Sequence, residues 1–77
     1  MHIVIAKVDE NLFDGEALSL SARGAEGEMT ILGEHMPLVT TLKPSELIVR
    51  LEGGEEKRFS VESGVLEVRH DGATVIL

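Results

Sequence analysis

Three histidines, His2, His35 and His70, are the side chains here best suited to proton transfer or metal ligation. They are far apart in the chain, and none sits in a His-Glu-x-x-His arrangement. Glu34-His35 is an acid–base pair by adjacency only, because neighbours in an extended strand leave opposite faces. His70 precedes Asp71-Gly72, where a polar residue at the end of a hairpin is ordinary. Gly24-Ala25-Glu26-Gly27 has the glycine spacing of a loop but lacks the Lys-Ser/Thr of a phosphate cradle. Glu26 and Glu28 would repel a phosphate, and no helical pattern follows. Carboxylates are abundant, yet no segment alternates them as a calcium loop of ~12 residues requires. None of Ser19, Ser21, Ser45, Ser60 and Ser63 stands in a Gly-x-Ser-x-Gly elbow. With no cysteine, a catalytic thiol, a thiolate zinc site and a disulfide are excluded together. The residues offer no catalytic constellation, no metal site and no cofactor site, and an enzyme is not expected.

The elements that would position these side chains are strands. Apolar and polar residues alternate with period two along nearly the whole chain, the mark of half-buried strands. Leu18, Leu20 and Ala22 share one face against Ser19, Ser21 and Arg23; Leu38, Thr40 and Leu42 alternate with Val39 and Thr41. Leu47, Val49 and Leu51 oppose Ile48, Arg50 and Glu52, and Leu66 and Val68 oppose Val65, Glu67 and Arg69. In the first segment Val4, Ala6 and Val8 share one face, with Ile3, Ile5 and Lys7 on the other. Gly53-Gly54 and Asp71-Gly72 lie between alternating segments, where glycine supplies the positive φ of a tight hairpin turn. Further breaks at Asp14-Gly15, Gly24, Gly27, Gly33, Pro37, Pro44 and Gly64 recur at short intervals. Many short strands with turn signals every ~8–12 residues predict one antiparallel β-sandwich or barrel spanning 1–77.

Composition narrows the function further. The 77 residues carry 7 Lys plus Arg against 14 Asp plus Glu, a formal net charge of −7, which argues against nucleic acid and against an anionic membrane surface. Hydrophobic residues make up 43%, enough for a core and too many for a disordered acidic tail. The longest apolar run, Ile3-Val4-Ile5-Ala6, is far short of the ~20 residues of a membrane span. A soluble, cytoplasmic domain is expected. A domain this small buries only ~60–65% of its unfolded surface, so a partner surface is expected as well.

Gly24 to Pro44 is the most distinctive stretch. It resembles the N-terminal domain of the epsilon subunit of F-type ATP synthases, called delta in mitochondria. Phe13-Asp14-Gly15 matches the Phe-x-Gly of that family, and Gly24 and Gly27 match its Gly-x-x-Gly turn. His35, Pro37 and Leu38 match a His-x-Pro-Leu, Leu42-Lys43-Pro44 a Leu-Lys-Pro, and Gly64 to Val68 a Gly-x-x-Glu-Val. The resemblance implies a flattened antiparallel β-sandwich of two sheets. It also implies a non-catalytic central-stalk subunit that joins the gamma subunit to the c-ring at the cytoplasmic face of the membrane, without inserting into it. By the same resemblance, ring or gamma contacts fall on Glu28, Gly33, Glu34, His35, Met36 and Pro37, with Pro37 fixing the loop's shape. His35 has an alternative role, tying that loop together through hydrogen bonds. Thr30, Glu34 and Ser45 depart from residues common in the family, which has glycine at or near each. Most bacterial and chloroplast members continue into a two-helix hairpin that can inhibit ATP hydrolysis. The resemblance reads this sequence as a short subunit or as an N-terminal portion. Two rival readings are a small β-sandwich module for a peptide or sugar, and a metal-assisted hydrolase that would need the three histidines to converge. The first would want an aromatic platform, and only Phe13 and Phe59 are aromatic.

Overall fold

The computed structural model describes residues 1–33 and 36–77. Nine strands account for almost all of them: β1 (His2–Lys7), β2 (Glu10–Glu16), β3 (Ser19–Gly24), β4 (Gly27–Leu32), β5 (Leu38–Leu42), β6 (Ser45–Arg50), β7 (Glu56–Val61), β8 (Gly64–Arg69) and β9 (Gly72–Ile76). Among the described residues there is no helix. The period-two alternation therefore reports the strands apart from β2, whose residues do not alternate and which carries Asp14-Gly15, expected as a break, within it.

The strands pair in the order β2-β1-β9-β8-β5-β3-β6-β7, with β4 on the other side of β3. β5 and β3 meet only at Leu42 and Gly24, so the ladder folds there into two layers. One layer is β2-β1-β9-β8-β5 and the other is β4-β3-β6-β7. Every pair is antiparallel except β1 with β9, which run parallel. The fold is the expected flattened β-sandwich, with extents of 28 × 26 × 19 Å. Its one parallel pair arises because β9 returns between β1 and β8 rather than at an edge.

The core lies between the layers. Ile3 and Ile5 of β1, Leu66 and Val68 of β8 and Ala73 and Val75 of β9 face Leu20, Ile31, Leu47 and Val49 of the other sheet, all buried. Phe13 of β2 and Phe59 of β7 meet edge to face, with centroids 6.2 Å apart and planes at 62°. These are the two terminal strands of the ladder, so the ring pair closes the open side of the sandwich.

Two glycines behave differently from one another. At Gly53, with φ +90, a Cβ would meet nothing within 4 Å, so the need for glycine is torsional, as expected for that turn. Gly72 has no positive φ, contrary to the expectation for Asp71-Gly72. Instead, a Cβ there would overlap the backbone carbonyl of His2 in the adjacent parallel strand. Gly72 is required because β1 passes so close.

Candidate functional site

Strand alternation gives each sheet an outer face, and the two faces differ in chemistry. On the outer face of β4-β3-β6-β7, charged side chains are tied to one another. Arg23 donates to Glu28 at 2.8 Å and Arg58 to Glu46 at 2.9 Å. Arg50 and Arg58 both reach Glu56, holding its carboxyl below its usual pKa, Arg50 by hydrogen bonding first and by its charge second. A groove of about 580 Å³ runs over this face, lined by Arg23, Glu28, Thr30 and Glu46 together with Met29 and Ile48 among others. No aromatic ring lines it.

The outer face of β2-β1-β9-β8-β5 is apolar over much of its area. Register aligns Thr41, Val65, Ile76 and Ala6 in one row across β5, β8, β9 and β1. The next row is Val39, Glu67, Thr74, Val4 and Asp14. Val39 is 68% exposed, Ile76 50% and Val65 42%. This is a contiguous patch on rigid strands, of the kind that marks a protein interface.

Toward the other end of the same face the rows turn polar. Arg69 donates to Thr74 Oγ1 at 2.8 Å and lies 3.4 Å from Glu67. His2 bridges two carboxylates of β2, its Nε2 2.7 Å from Asp14 Oδ1 and its Nδ1 3.0 Å from Glu16 Oε2. These bonds, Glu16 first and Asp14 second, raise the His2 pKa above 6.5. The Met1 amino group donates to the Ala17 carbonyl oxygen at 2.9 Å and stands 3.6 Å from Glu16.

The residues expected to touch a partner are not one cluster. Glu28 is exposed at the beginning of β4, beside the β3–β4 turn, and its carboxylate is held by Arg23. Gly33, Met36 and Pro37, all exposed, follow the far end of β4. Four strand residues separate Glu28 from Gly33, five steps that span about 17 Å at ~3.4 Å each. They occupy opposite ends of the sandwich. Glu34 and His35 lie outside the described residues. Phe13 and Phe59 are half-buried against each other and the core, which leaves no ring free as a platform for a sugar. His2 has both ring nitrogens engaged by carboxylates. Among the described residues no group of three or more His, Asp or Glu side chains could hold a metal ion.

The patch on β5, β8, β9 and β1 is not among the contact residues expected from the sequence, although a signal for it exists there. Ile3-Val4-Ile5-Ala6, Val65-Leu66 and Val75-Ile76-Leu77 are apolar on both faces of their strands. Two-sided apolarity marks a strand covered on both sides.

Comparison with known proteins decides the family. The family model for the β-sandwich domain of the ATP synthase delta/epsilon chain matches residues 1–77. The chain belongs to that family. It is 42% identical over 76 residues to the ATP synthase epsilon chain of Acinetobacter baylyi, covering 99% of this chain and 55% of the relative. To the epsilon chain of Brevibacillus brevis it is 36% identical, covering 99% of this chain and 58% of the relative. The chain thus spans little more than half the length of these curated relatives. Among solved structures it is similar to a chain of the Euglena gracilis mitochondrial ATP synthase OSCP/F1/c-ring assembly. That match has TM-score 0.89 and 26% identity over 96% of this chain and 48% of the other. A chain of the Tetrahymena thermophila central stalk/c-ring structure shares the fold, with TM-score 0.82 and 14% identity over 99% of this chain and 61% of the other. No helix among the described residues is long and apolar enough to cross a membrane.

Proposed function

We propose that this domain is the rotor-joining part of an ATP synthase epsilon subunit. It docks the gamma subunit and the c-ring at the cytoplasmic face of the membrane and carries no catalysis of its own. The observation that carries the reading is the contrast between the outer faces. One ties its charges in Arg–Glu pairs and exposes Leu32 only at its edge, whereas the other offers Val65, Ile76, Ala6, Val39 and Val4 together on rigid strands. In a family of ATP synthase subunits, gamma is the partner whose surface would supply the burial this small domain lacks. An end of the sandwich is then left for the polar loops of the ring.

The test is titration of the domain against purified gamma from the same source. A complex is expected in the nanomolar-to-micromolar range usual for interfaces of standard size. Ile76→Asp or Val65→Asp would place a charge in the middle of the apolar row, and each should weaken binding at least ~10-fold. Arg58→Ala, on the opposite face, should leave affinity within about twofold. Absence of a complex at tens of micromolar protein, or indifference to both aspartates, overturns the reading.

A further inference from the structure

The apolar row through Val4 is interrupted by two carboxylates, and the two are neutralised by different means. Glu67 lies between Val39 and Thr74 in that row, and its cation is Arg69, 3.4 Å away on the same strand. Arginine stays charged at any physiological pH. Asp14 is the direct cross-strand neighbour of Val4. Its cation is His2, at 2.7 Å, and histidine is charged only when protonated. Covering this face with a partner moves both carboxylates toward a drier environment, where an unpaired charge is costly and a paired one is tolerated.

We infer that His2 is a proton-dependent counter-ion at the rim of the docking face, so that protonation of its ring tightens the domain's hold on its partner and deprotonation loosens it.

This rests on the proposed docking of gamma to the outer face of β2-β1-β9-β8-β5. The charged groups around the ring are few. β2 presents Asp14 and Glu16 to it, and the Met1 amine shares Glu16. β9 contributes no ionisable side chain, since it reads Gly-Ala-Thr-Val-Ile. Asp71 precedes β9, and its carbonyl accepts from the His2 N–H at 3.4 Å. Arg69 and Glu67 of β8 lie beyond Gly72 and Thr74 in the same rows. Both carboxylates therefore lean on His2, and only Glu16 has a second cation in reach, the Met1 amine. When the ring loses its proton, Asp14 and Glu16 keep only the Met1 amine, which reaches Glu16 and not Asp14. Both ring nitrogens face carboxylate oxygens, so only the doubly protonated ring can donate to both. This geometry favours the charged form, in line with the raised pKa.

The test is the affinity of the intact chain for gamma across about pH 6 to 9, a window that begins near the ordinary histidine value and extends above it. The wild type should weaken by about two- to fivefold as pH rises, the scale of a rim charge pair. Gamma has titrating groups of its own, so the reading is the difference from two variants. His2→Arg should hold the tight, low-pH affinity and lose this part of the slope. His2→Gln should bind at the weaker level throughout and lose the same part. If wild type, His2→Arg and His2→Gln show one common pH profile, the inference fails while gamma docking stands. If none of them binds at any pH, the docking reading fails first and the inference with it.

Discussion

At the scale of single residues, Gly72 shows how a backbone neighbour can fix a residue type. Its torsion would suit any residue, but a Cβ would overlap the His2 carbonyl. Gly72→Ala must push β1 and β9 apart, and we expect a loss of about 1–3 kcal/mol, the usual cost of overpacking, read as a lowered urea midpoint. Nothing in the sequence separates this glycine from Gly53, because close approach across a parallel pair is a property of topology. The His2 bridge is equally hidden, because it depends on the register of β2, which shifts between Ile5 and Ala6. Its consequence for stability has a definite sign. Hydrogen bonds donated by the His2 ring to Glu16 and then Asp14 raise its folded-state pKa, so the contribution is fully present below the unfolded value near 6.5. It is lost as pH rises through the folded value. Amide protection in β1 and β2, taken relative to the intrinsic base-catalysed exchange rate, should therefore fall across that upper window, and His2→Gln should show no such fall there. Glu56 has the opposite sign. Its pKa is lowered by Arg50 chiefly, so its contribution is present above about 4.5 and disappears as acid protonates it.

At the scale of elements, alternation locates most strands because they have one side in a shared core and one side out, and it misses β2, none of whose residues is fully buried. β6 is the clearest instance: Leu47 and Val49 are buried and Glu46 and Arg50 exposed, in the order the sequence displays. β1 is ambiguous in sequence, since Ile3-Val4-Ile5-Ala6 is apolar on both sides. Burial settles it, with Ile3 and Ile5 inside and Val4 and Ala6 half-buried outside. The contact residues expected from the sequence, for ring or gamma, lie toward both ends of β4. Glu28 is at one end of that strand and Gly33, Met36 and Pro37 lie past the other. A flat ring of polar loops cannot touch both ends of a sandwich at once. Of Glu28→Ala and Met36→Ala, we expect only one to reduce capture of the domain–gamma complex by c-rings in detergent. Equal losses from both would show that the ends are not separate contact sites. The pair of terminal strands gives a further expectation. Phe13 and Phe59 should couple by about 0.5–1.5 kcal/mol in a double-mutant cycle to leucine, read from urea unfolding.

At the scale of the whole molecule, the sandwich has two kinds of apolar surface that stability measurements can tell apart. Leu66 faces the core and is fully buried, whereas Val65, next to it on β8, faces out at 42% exposure. Leu66→Ala should cost about 2–5 kcal/mol in the isolated domain, through lost transfer energy and the cavity left behind. Val65→Thr and Ile76→Thr change only the outer row, and surface substitutions of this kind usually stay within about 0.5 kcal/mol. Binding reverses the order. A partner that binds only the folded domain stabilises it by RT ln(1 + [L]/Kd), so anything that weakens docking diminishes the stabilisation gained at a fixed partner concentration. With gamma in excess, wild-type domain should melt higher than alone, and the Val65→Thr, Ile76→Thr double variant should recover only part of that increase. Leu66→Ala, if still folded, should recover nearly all of it from a lower starting point, because its loss lies in the core and not on the docking face. A double variant that melts below wild type alone, yet gains as much from gamma, would place these side chains in the fold's own packing and take the docking face away from β8 and β9.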